Sequence, residues 1–226
     1  NQVGDPLLKR VQFGQTDLQV TRYCQGTAFR HLERGPGNPE AERVIRHCLD
    51  VGVSFFDTAY AYGWGVSEEL LGKVLECRRD QAVICTKVPA SYPPESEGVA
   101  PKPASFAREY LSSQLEGALE RLGTDYVDLY LLHQPDEKTP AGEVCESMDA
   151  LVQSGKVRHW GVSNHGATAV AEYCALAQKA GTVPPVAIED YYNVAAGYSL
   201  TPDGRSRALK LKQEMFPVVR SEGLGV

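Results

Sequence analysis

The sequence has no long hydrophobic run and no excess of basic residues, and each absence excludes a class of function. No apolar stretch approaches the roughly 18–20 residues that cross a bilayer. The amino terminus, NQVGDPLLKR, has neither a signal-peptide core nor an initiator Met. The net charge of −6 and the pI near 5.4 argue against a nucleic-acid or anionic-membrane surface. We therefore expect a protein that binds neither nucleic acid nor membrane.

Cysteine is present, but without the spacing of a metal site or of a redox motif. The six cysteines are scattered along the chain with no CxxC pair: Cys24, Cys48, Cys77, Cys85, Cys145 and Cys174. A chain of 226 residues can bury a sizeable core without disulfides. We interpret these thiols as reduced and the protein as cytoplasmic, and we expect no metal.

The sequence does contain a regular alternation of strand and helix patterns. Residues 9–20 hold two short apolar runs around a polar turn, which predicts an opening β-hairpin. Predicted strands then cover 21–27, 53–57, 82–87, 126–133, 156–164 and 185–190, and predicted helices cover 39–52, 67–78, 105–122, 142–154, 167–180 and 203–222. A seventh strand begins at Leu224. Strict alternation predicts a parallel sheet, either rolled into a barrel or left open.

The dinucleotide-binding fingerprint of an open α/β sheet is missing. That fingerprint, GxGxxG, belongs between the first strand and the first helix. Here the junction reads GTAFRHLERGPGNPE, where Gly35 and Gly37 form a GxG pair that no third glycine follows at the required spacing. The GxG pair at 63–65 also has no third glycine. A (β/α)8 barrel, typically about 250 residues long, is therefore the better prediction. We expect residues 1–226 to form a single barrel domain.

The stretch from Val53 to Gly72, VSFFDTAYAYGWGVSEELLG, is the most informative part of the chain. It begins as a buried strand, breaks at Asp57 into a loop that carries Tyr62, and enters a helix with Ser67 as the expected N-cap. A strand that delivers a carboxylate and a phenol to a loop before a helix is how an α/β protein builds a site at its strand ends.

Three ionisable residues each end a predicted strand at the same rim: Asp57, Lys87 and His133. Alternation predicts that apolar residues of these strands face the barrel interior beneath them: Val53, Phe55, Val83, Cys85, Val127, Leu129 and Leu131. A carboxylate and an ammonium buried there are costly unless paired, so Asp57 and Lys87 are expected to pair. The ammonium would favour the phenolate of Tyr62 and lower its pKa below about 10. Such a phenol can donate a proton to an oxygen that gains negative charge.

Each of these residues alone also fits a structural role. Asp57 and Lys87 would form a structural ion pair, and His133 would be a core histidine. The pair Ser163-Asn164 would be a helix N-cap. Three aromatic residues fit either a substrate pocket or simple packing: Phe29, Tyr60 and Trp64.

In combination the motifs resemble the aldo-keto reductase family. The segments DTAYAYGWGVSEELLG, CTK, DLYLLHQPD, GKVRHWGVSN and YYN occur in the order and spacing of that family, over nearly the whole chain. The resemblance implies a (β/α)8 barrel and hydride transfer from NADPH, or NADH, to a small aldehyde or ketone, without a metal. In such a reaction the cofactor brings the hydride, and the protein supplies orientation and a proton.

The resemblance also implies catalytic roles, residue by residue. Tyr62 matches the proton donor, and Lys87 and Asp57 match the pair that tunes it. His133 matches the residue that orients the substrate carbonyl.

Cofactor-binding positions of the family are matched by a second set of residues: Gly26, Thr27, Asp57, Ser163, Asn164 and Glu189. Ser163 and Asn164 match the positions that hold the nicotinamide carboxamide. Glu189 departs from the family, which usually carries Gln there. A carboxylate accepts from an amide NH2 but cannot donate to the carbonyl, and it costs more to bury. Glu189 is therefore expected to stay protonated, to find a cationic partner or to turn away.

The family pattern continues beyond Val226, with two strands that close the barrel. An unclosed barrel would leave two exposed strand edges. We therefore expect either that this sequence is part of a longer chain or that a partner chain covers the edge. Three functional alternatives to a reductase stay open: a non-catalytic relative kept for binding or regulation, an inactive fragment, and a dehydrogenase on an open sheet. The physiological substrate and the oligomeric state also stay open.

Overall fold

The computed structural model describes residues 8–29, 38–89, 105–136, 138–191 and 211–226, with only the backbone of residues 211 and 212. Strands in these ranges are β1 Arg10–Gln12, β2 Gln19–Thr21, β3 Cys24–Gly26, β4 Phe55–Asp57, β5 Val83–Val88, β6 Val127–Leu132, β7 Val157–Ser163 and β8 Ala187–Glu189. Helices are α1 Pro39–Val51, α2 Val66–Leu75, α3 Arg108–Leu122, α4 Ala141–Gln153, α5 Ala167–Ala180 and α6 Phe216–Glu222, with a 3-10 turn at Arg79–Gln81 and a π-type turn at Leu211–Met215. The predicted alternation of strands and helices is confirmed.

The first two strands form the predicted hairpin, and the other six form one parallel sheet. In the hairpin, β1 runs antiparallel to β2, with Val11 opposite Val20. The order β3-β4-β5-β6-β7-β8 follows the sequence, and every neighbouring pair is parallel. Gly225 bridges Ala187 of β8 in parallel, where the seventh strand of the barrel is predicted to begin. Strands laid down in sequence order are the arrangement of a (β/α)8 barrel.

Apolar side chains separate into two clusters, one on each face of the sheet. The larger, outer cluster joins the helices to the sheet, and its fully buried members include Ile45, Leu71 and Trp160. The inner cluster contains no residue of the described helices; it joins the hairpin to the strands through Phe13, Leu18, Val20, Cys85, Leu129, Leu131 and Ala187. A doubly wound open sheet carries helices on both faces. Helices on one face and an apolar opposite face are typical of a barrel wall.

The predicted alternation of side chains holds within the regular strands and fails where the strands begin. Phe55, Val83, Cys85, Leu129 and Leu131 lie in or against the inner cluster, as expected. Val53 and Val127 belong instead to the outer cluster. Val53 precedes β4, and its amide donates to the Cys48 carbonyl at the end of α1, 2.8 Å away. It therefore packs with that helix end rather than with the barrel interior.

Local sequence explains where α1 begins and ends. The Asn38 side chain accepts from the amides of Glu40 and Ala41, at 2.9 and 3.3 Å, and Pro39 occupies the first turn. Gly52 follows the helix with φ of +98°, a left-handed conformation that ends the helix.

The N-cap prediction for α2 is wrong. The residue before Val66 is Gly65, with φ of +100°, and its position makes no side-chain cap. The Ser67 hydroxyl donates instead to the Thr27 carbonyl, 2.8 Å away. Because Ser67 is buried against the end of β3, its hydroxyl fixes two chain segments together rather than capping its own helix.

Some features that the sequence analysis singled out lie outside the described residues. The glycines 35 and 37, the Tyr-Asn pair at 192–193 and the first part of the helix predicted for 203–222 are outside the described ranges. All six cysteines are described, and none forms a disulfide. No helix in the described ranges has the length and hydropathy of a membrane span.

Candidate active site

The carboxyl ends of β4 and β5 bring two ionisable side chains, Asp57 and Tyr62, together around the ammonium of Lys87. Lys87 is 1% exposed, and its Nζ donates to Asp57 Oδ2, to the Thr58 carbonyl at 3.2 Å and to Tyr62 Oη at 3.1 Å. The Tyr62 hydroxyl donates in turn to Asp57 Oδ1, at 3.4 Å. The structure therefore pairs Asp57 with Lys87, as predicted, and places the phenol against both.

His133 follows β6 and completes the cluster. Its amide donates to the Val88 carbonyl at 2.9 Å, which holds it beside the end of β5. Its ring meets the Tyr62 ring edge-on, with 5.8 Å between centroids and 83° between planes. Three neighbouring strands thus converge on the Tyr62 side chain at the rim where barrel enzymes place their sites.

The predicted lowering of the Tyr62 pKa is wrong. The pKa of Tyr62 is raised to about 12: burial is the largest cause, the Lys87 ammonium opposes it, and the carboxylates of Asp57 and Glu189 add to it. Sequence reasoning counted the ammonium but neither the loss of water nor the second carboxylate. The phenol is therefore protonated at neutral pH and able to donate a proton.

The His133 imidazole is uncharged at neutral pH. Its pKa is lowered to about 4, chiefly by burial and also by the Lys87 ammonium, against the opposing effect of Asp57. The ring therefore carries a hydrogen on one nitrogen and accepts on the other above that pH.

Burial by itself would lower the pKa of Lys87, but Asp57, with further contributions from Cys85, Glu189 and Tyr62, raises it well above its usual value. The amine therefore stays charged.

Glu189, at the end of β8, has a cationic partner, which is one of the three outcomes predicted for it. Its Oε2 lies 3.3 Å from Lys87 Nζ, so the carboxyl has a cationic partner. The pKa of Glu189 is raised to about 7: burial is the main cause and Asp57 adds to it, while Lys87 opposes it. Lys87 is thus shared between a carboxylate from β4 and a carboxyl from β8.

Ser163 and Asn164 lie beside this cluster at the end of β7. The Asn164 amide Nδ2 donates to the His133 carbonyl and to Ser163 Oγ, both at 3.0 Å. The Asn164 backbone amide donates to the Glu189 carbonyl at 3.0 Å. The N-cap interpretation of this pair is wrong, because α5 begins after Gly166 without a side-chain cap. Asn164 has φ of +59°, a conformation that turns its side chain back toward β6.

Gly26 and Thr27 lie opposite the end of β4. Gly26 pairs with Asp57 in the sheet, and the amide and hydroxyl of Thr27 both donate to the Asp57 carbonyl, at 2.8 and 3.0 Å. A Cβ placed on Gly26 would meet nothing within 4 Å, so the space above this backbone is open. The arrangement allows a flat ligand to approach the main chain here.

A cavity of about 310 Å³ lies on the inner face of the sheet, against Asp57 and Glu189. Ligand atoms of Asp57, Glu189 and Cys85 lie within 4.8 Å of one another there. This donor set fits a metal ion poorly, because Lys87 already contacts both carboxyl groups. Burial also raises the pKa of the Cys85 thiol well above its usual value, so the thiolate that a metal requires is disfavoured.

Two residues that sequence reasoning did not single out support the Tyr62 loop. Glu68 is fully buried; it accepts from Thr86 Oγ1 at 2.5 Å and from Arg121 Nε at 2.8 Å. The Arg121 guanidinium also stacks on the Tyr60 ring, 4.7 Å from its centroid. The sequence shows Glu68 as an acidic residue in the first turn of a helix, which is a common surface feature. Only the tertiary structure reveals that it is buried.

Replacing Gly65 with Ala tests this support. The new Cβ would lie 2.5 Å from Arg121 Cδ at a backbone φ of +100°, so we expect a loss of about 2–4 kcal/mol in unfolding free energy. Gly123→Ala is the matched control: its φ is +61°, but its Cβ would meet nothing within 4 Å, and we expect a loss of about 1–2 kcal/mol. Urea unfolding measures both. Equal losses would show that Arg121 does not restrict this loop.

The comparisons with known proteins agree with this fold. The family model for the Aldo/keto reductase family matches residues 24–226. This chain belongs to the aldo-keto reductase family.

The relatives are named either as oxidoreductases or as potassium channel beta subunits. The aldo-keto reductase YhdN of Bacillus subtilis is 38% identical over 182 residues, covering 79% of this chain and 54% of that protein. The uncharacterized oxidoreductase YrpG of the same organism is 33% identical, covering 94% and 63%. A probable voltage-gated potassium channel subunit beta of Oryza sativa is 30% identical, covering 94% and 60%. The chain thus spans 54–63% of the length of these curated relatives.

Solved structures support the barrel. The aldo-keto reductase AKR11C1 from Bacillus halodurans, in its holo form, superposes with a TM-score of 0.76 at 26% identity, covering 96% of this chain and 64% of that one. A thermostable aldo-keto reductase, Tm1743, in complex with the inhibitor epalrestat, gives 0.75 at 26% identity, covering 95% and 70%. The predicted (β/α)8-type fold is confirmed.

Proposed function

We propose that this chain belongs to an NAD(P)H-dependent reductase of small aldehydes or ketones. One observation carries the proposal: a protonated phenol, a charged amine and a neutral imidazole, from three neighbouring strands, meet at the carboxyl rim of the barrel. Tyr62 Oη lies 3.1 Å from Lys87 Nζ, and its ring contacts that of His133. Membership of the aldo-keto reductase family supports the same class of reaction.

Each residue of the cluster has a role in this proposal. His133, being uncharged, orients the substrate carbonyl by a hydrogen bond. As the carbonyl oxygen gains negative charge, the Tyr62 hydroxyl gives it a proton. The Lys87 ammonium then stabilises the phenolate that remains. Asp57 holds Lys87 in place through their ion pair. When bound, the nicotinamide cofactor supplies the hydride.

The residues present fit such a cofactor. A carboxamide needs a donor for its oxygen and an acceptor for its NH2 group. In the described part of the chain the Ser163 hydroxyl accepts from Asn164 and donates to no protein group, so its hydrogen remains for a ligand. Gly26 offers an open approach to the backbone. Glu189 is acceptor-only when ionised. We assign these residues, with Thr27 and Asp57, to the cofactor site, for NADPH or NADH.

The direct test is consumption of NADPH in the presence of a reactive aldehyde such as a nitrobenzaldehyde, followed by absorbance. We expect turnover that depends on both reactants. Failure to consume NADPH, together with failure to bind it in a fluorescence titration, would overturn the proposal.

A second candidate function rests on the relatives named as potassium channel beta subunits. In this alternative the barrel is kept for binding or regulation, and it binds cofactor without fast turnover. NADPH binding with no aldehyde-dependent consumption would favour it over the reductase. The cytoplasmic location and the absence of nucleic-acid and membrane partners stay predictions from the sequence.

A further inference from the structure

The site carries one more carboxyl group than its ammonium can neutralise. Asp57 bonds to Lys87 from β4, and Glu189 approaches the same nitrogen to 3.3 Å from β8. Tyr62 and His133 are uncharged at neutral pH, because their pKa values lie at about 12 and about 4. With Glu189 ionised the cluster therefore has a net charge of −1; with an amide at position 189 it would have none.

Little in the wall of the inner cavity offsets this charge. Asp57 and Glu189 both border the cavity, and the other described side chains of its lining are apolar or are thiols. The thiols are Cys24 and Cys85, and burial raises both of their pKa values, so neither adds charge. The apolar wall thus offers no counter-charge, and solvent screens the Glu189 carboxylate only in part, since its side chain is 43% exposed.

The hydride donor of the proposed reaction must bind close to this excess negative charge. A carbonyl that accepts a proton from Tyr62 must sit against Tyr62 Oη, and the hydride donor must lie within about 3–3.5 Å of the carbonyl carbon. Tyr62 Oη and Glu189 Oε2 are both within 3.3 Å of the same Lys87 nitrogen. A nicotinamide ring delivered to that carbonyl therefore lies in the field of Glu189.

We propose that Glu189 makes this site select the oxidised form of the nicotinamide cofactor over the reduced form. The oxidised ring carries a positive charge and the reduced ring does not, so an unneutralised carboxylate stabilises only the oxidised one. The inference rests on the proposed function, since it needs the cofactor to bind beside Tyr62. Glu189 is then a specificity-determining residue for the cofactor's redox state.

The test compares the dissociation constants of NADP⁺ and NADPH for the wild type and Glu189→Gln, by fluorescence titration in mildly alkaline buffer, where Glu189 is ionised. We expect Glu189→Gln to raise the ratio of the NADP⁺ constant to the NADPH constant on the order of tenfold, a modest effect for one charge because solvent partly screens the exposed Glu189 side chain. Asp190→Asn is the matched control: it removes an equal charge one residue further on and should leave the ratio unchanged. Glu189→Asp keeps the charge and should retain most of the selectivity.

The outcomes separate the two proposals. Binding of both cofactor forms with the same ratio in the wild type and Glu189→Gln would overturn this inference and leave the proposed function standing. An equal change in Asp190→Asn would also overturn it, because the effect would then come from the overall charge of the chain. Failure of the wild type to bind either form would overturn both proposals.

Discussion

Replacing Tyr62 with Phe is expected to lower kcat for aldehyde reduction by roughly 10²–10⁴-fold, the usual contribution of a positioned proton donor. The change removes one oxygen and keeps the ring that packs against His133. It deletes a hydroxyl that donates to Asp57 and accepts from Lys87, and both of these partners retain their mutual ion pair. We therefore expect the fold and the affinity for NADPH to be preserved. Steady-state kinetics and a cofactor titration measure the two effects.

Tyr23→Phe is the matched control for this variant. Tyr23 is 43% exposed, and its hydroxyl contacts only Gln25 among the described residues, at 3.0 Å. Its removal should leave turnover unchanged. If Tyr62→Phe turned over aldehyde at the wild-type rate, Tyr62 would not be the proton donor, and the assignment of the whole cluster would fail.

Replacing Lys87 with Met is expected to cost both activity and stability. Without the ammonium, Asp57 and Glu189 face each other with no cation between them, and the Tyr62 phenolate loses its stabilising charge. We expect a loss of kcat of roughly 10²–10⁴-fold. Removing one member of a buried ion pair typically costs about 3–5 kcal/mol, and the partial exposure of both carboxyl groups reduces this to about 2–3 kcal/mol.

The double variant Lys87→Met/Glu189→Gln separates the two effects. Removing the second carboxyl relieves the repulsion, so urea unfolding should show part of the lost stability restored. Activity should stay low, because the phenolate still lacks its ammonium. Recovery of activity along with stability would mean that Lys87 acts only as a structural cation.

The elements that the sequence predicts well are those whose determinants are local. The strand at 53–57 and the helix that ends at Gly52 follow from runs of apolar residues and from a glycine that alone tolerates φ of +98°. The convergence of Asp57, Lys87 and His133 on one rim follows from strand ends alone, since parallel strands share an edge. Local pattern thus predicts both the barrel and the residues of the cluster.

Predictions fail where a contact joins distant segments. Ser67 has the chemistry of an N-cap, but its hydroxyl donates to Thr27, a residue 40 positions away. Glu68 looks like an exposed first-turn acid and is buried against Arg121, 53 positions away. Such partners compete with the local role, and no pattern within one helix indicates which contact is formed.

The sequence by itself determined the order of strands and helices, the barrel and the family, because apolar periodicity and the spacing of short motifs carry that information. The tertiary structure alone decided the electrostatics of the site. A pKa depends on lost water and on every nearby charge, so the Tyr62 pKa rises to about 12 although its nearest cation lowers it. The tertiary structure also brings the Glu189 carboxyl of β8 within 3.3 Å of the Lys87 ammonium of β5, across the inner face of the sheet.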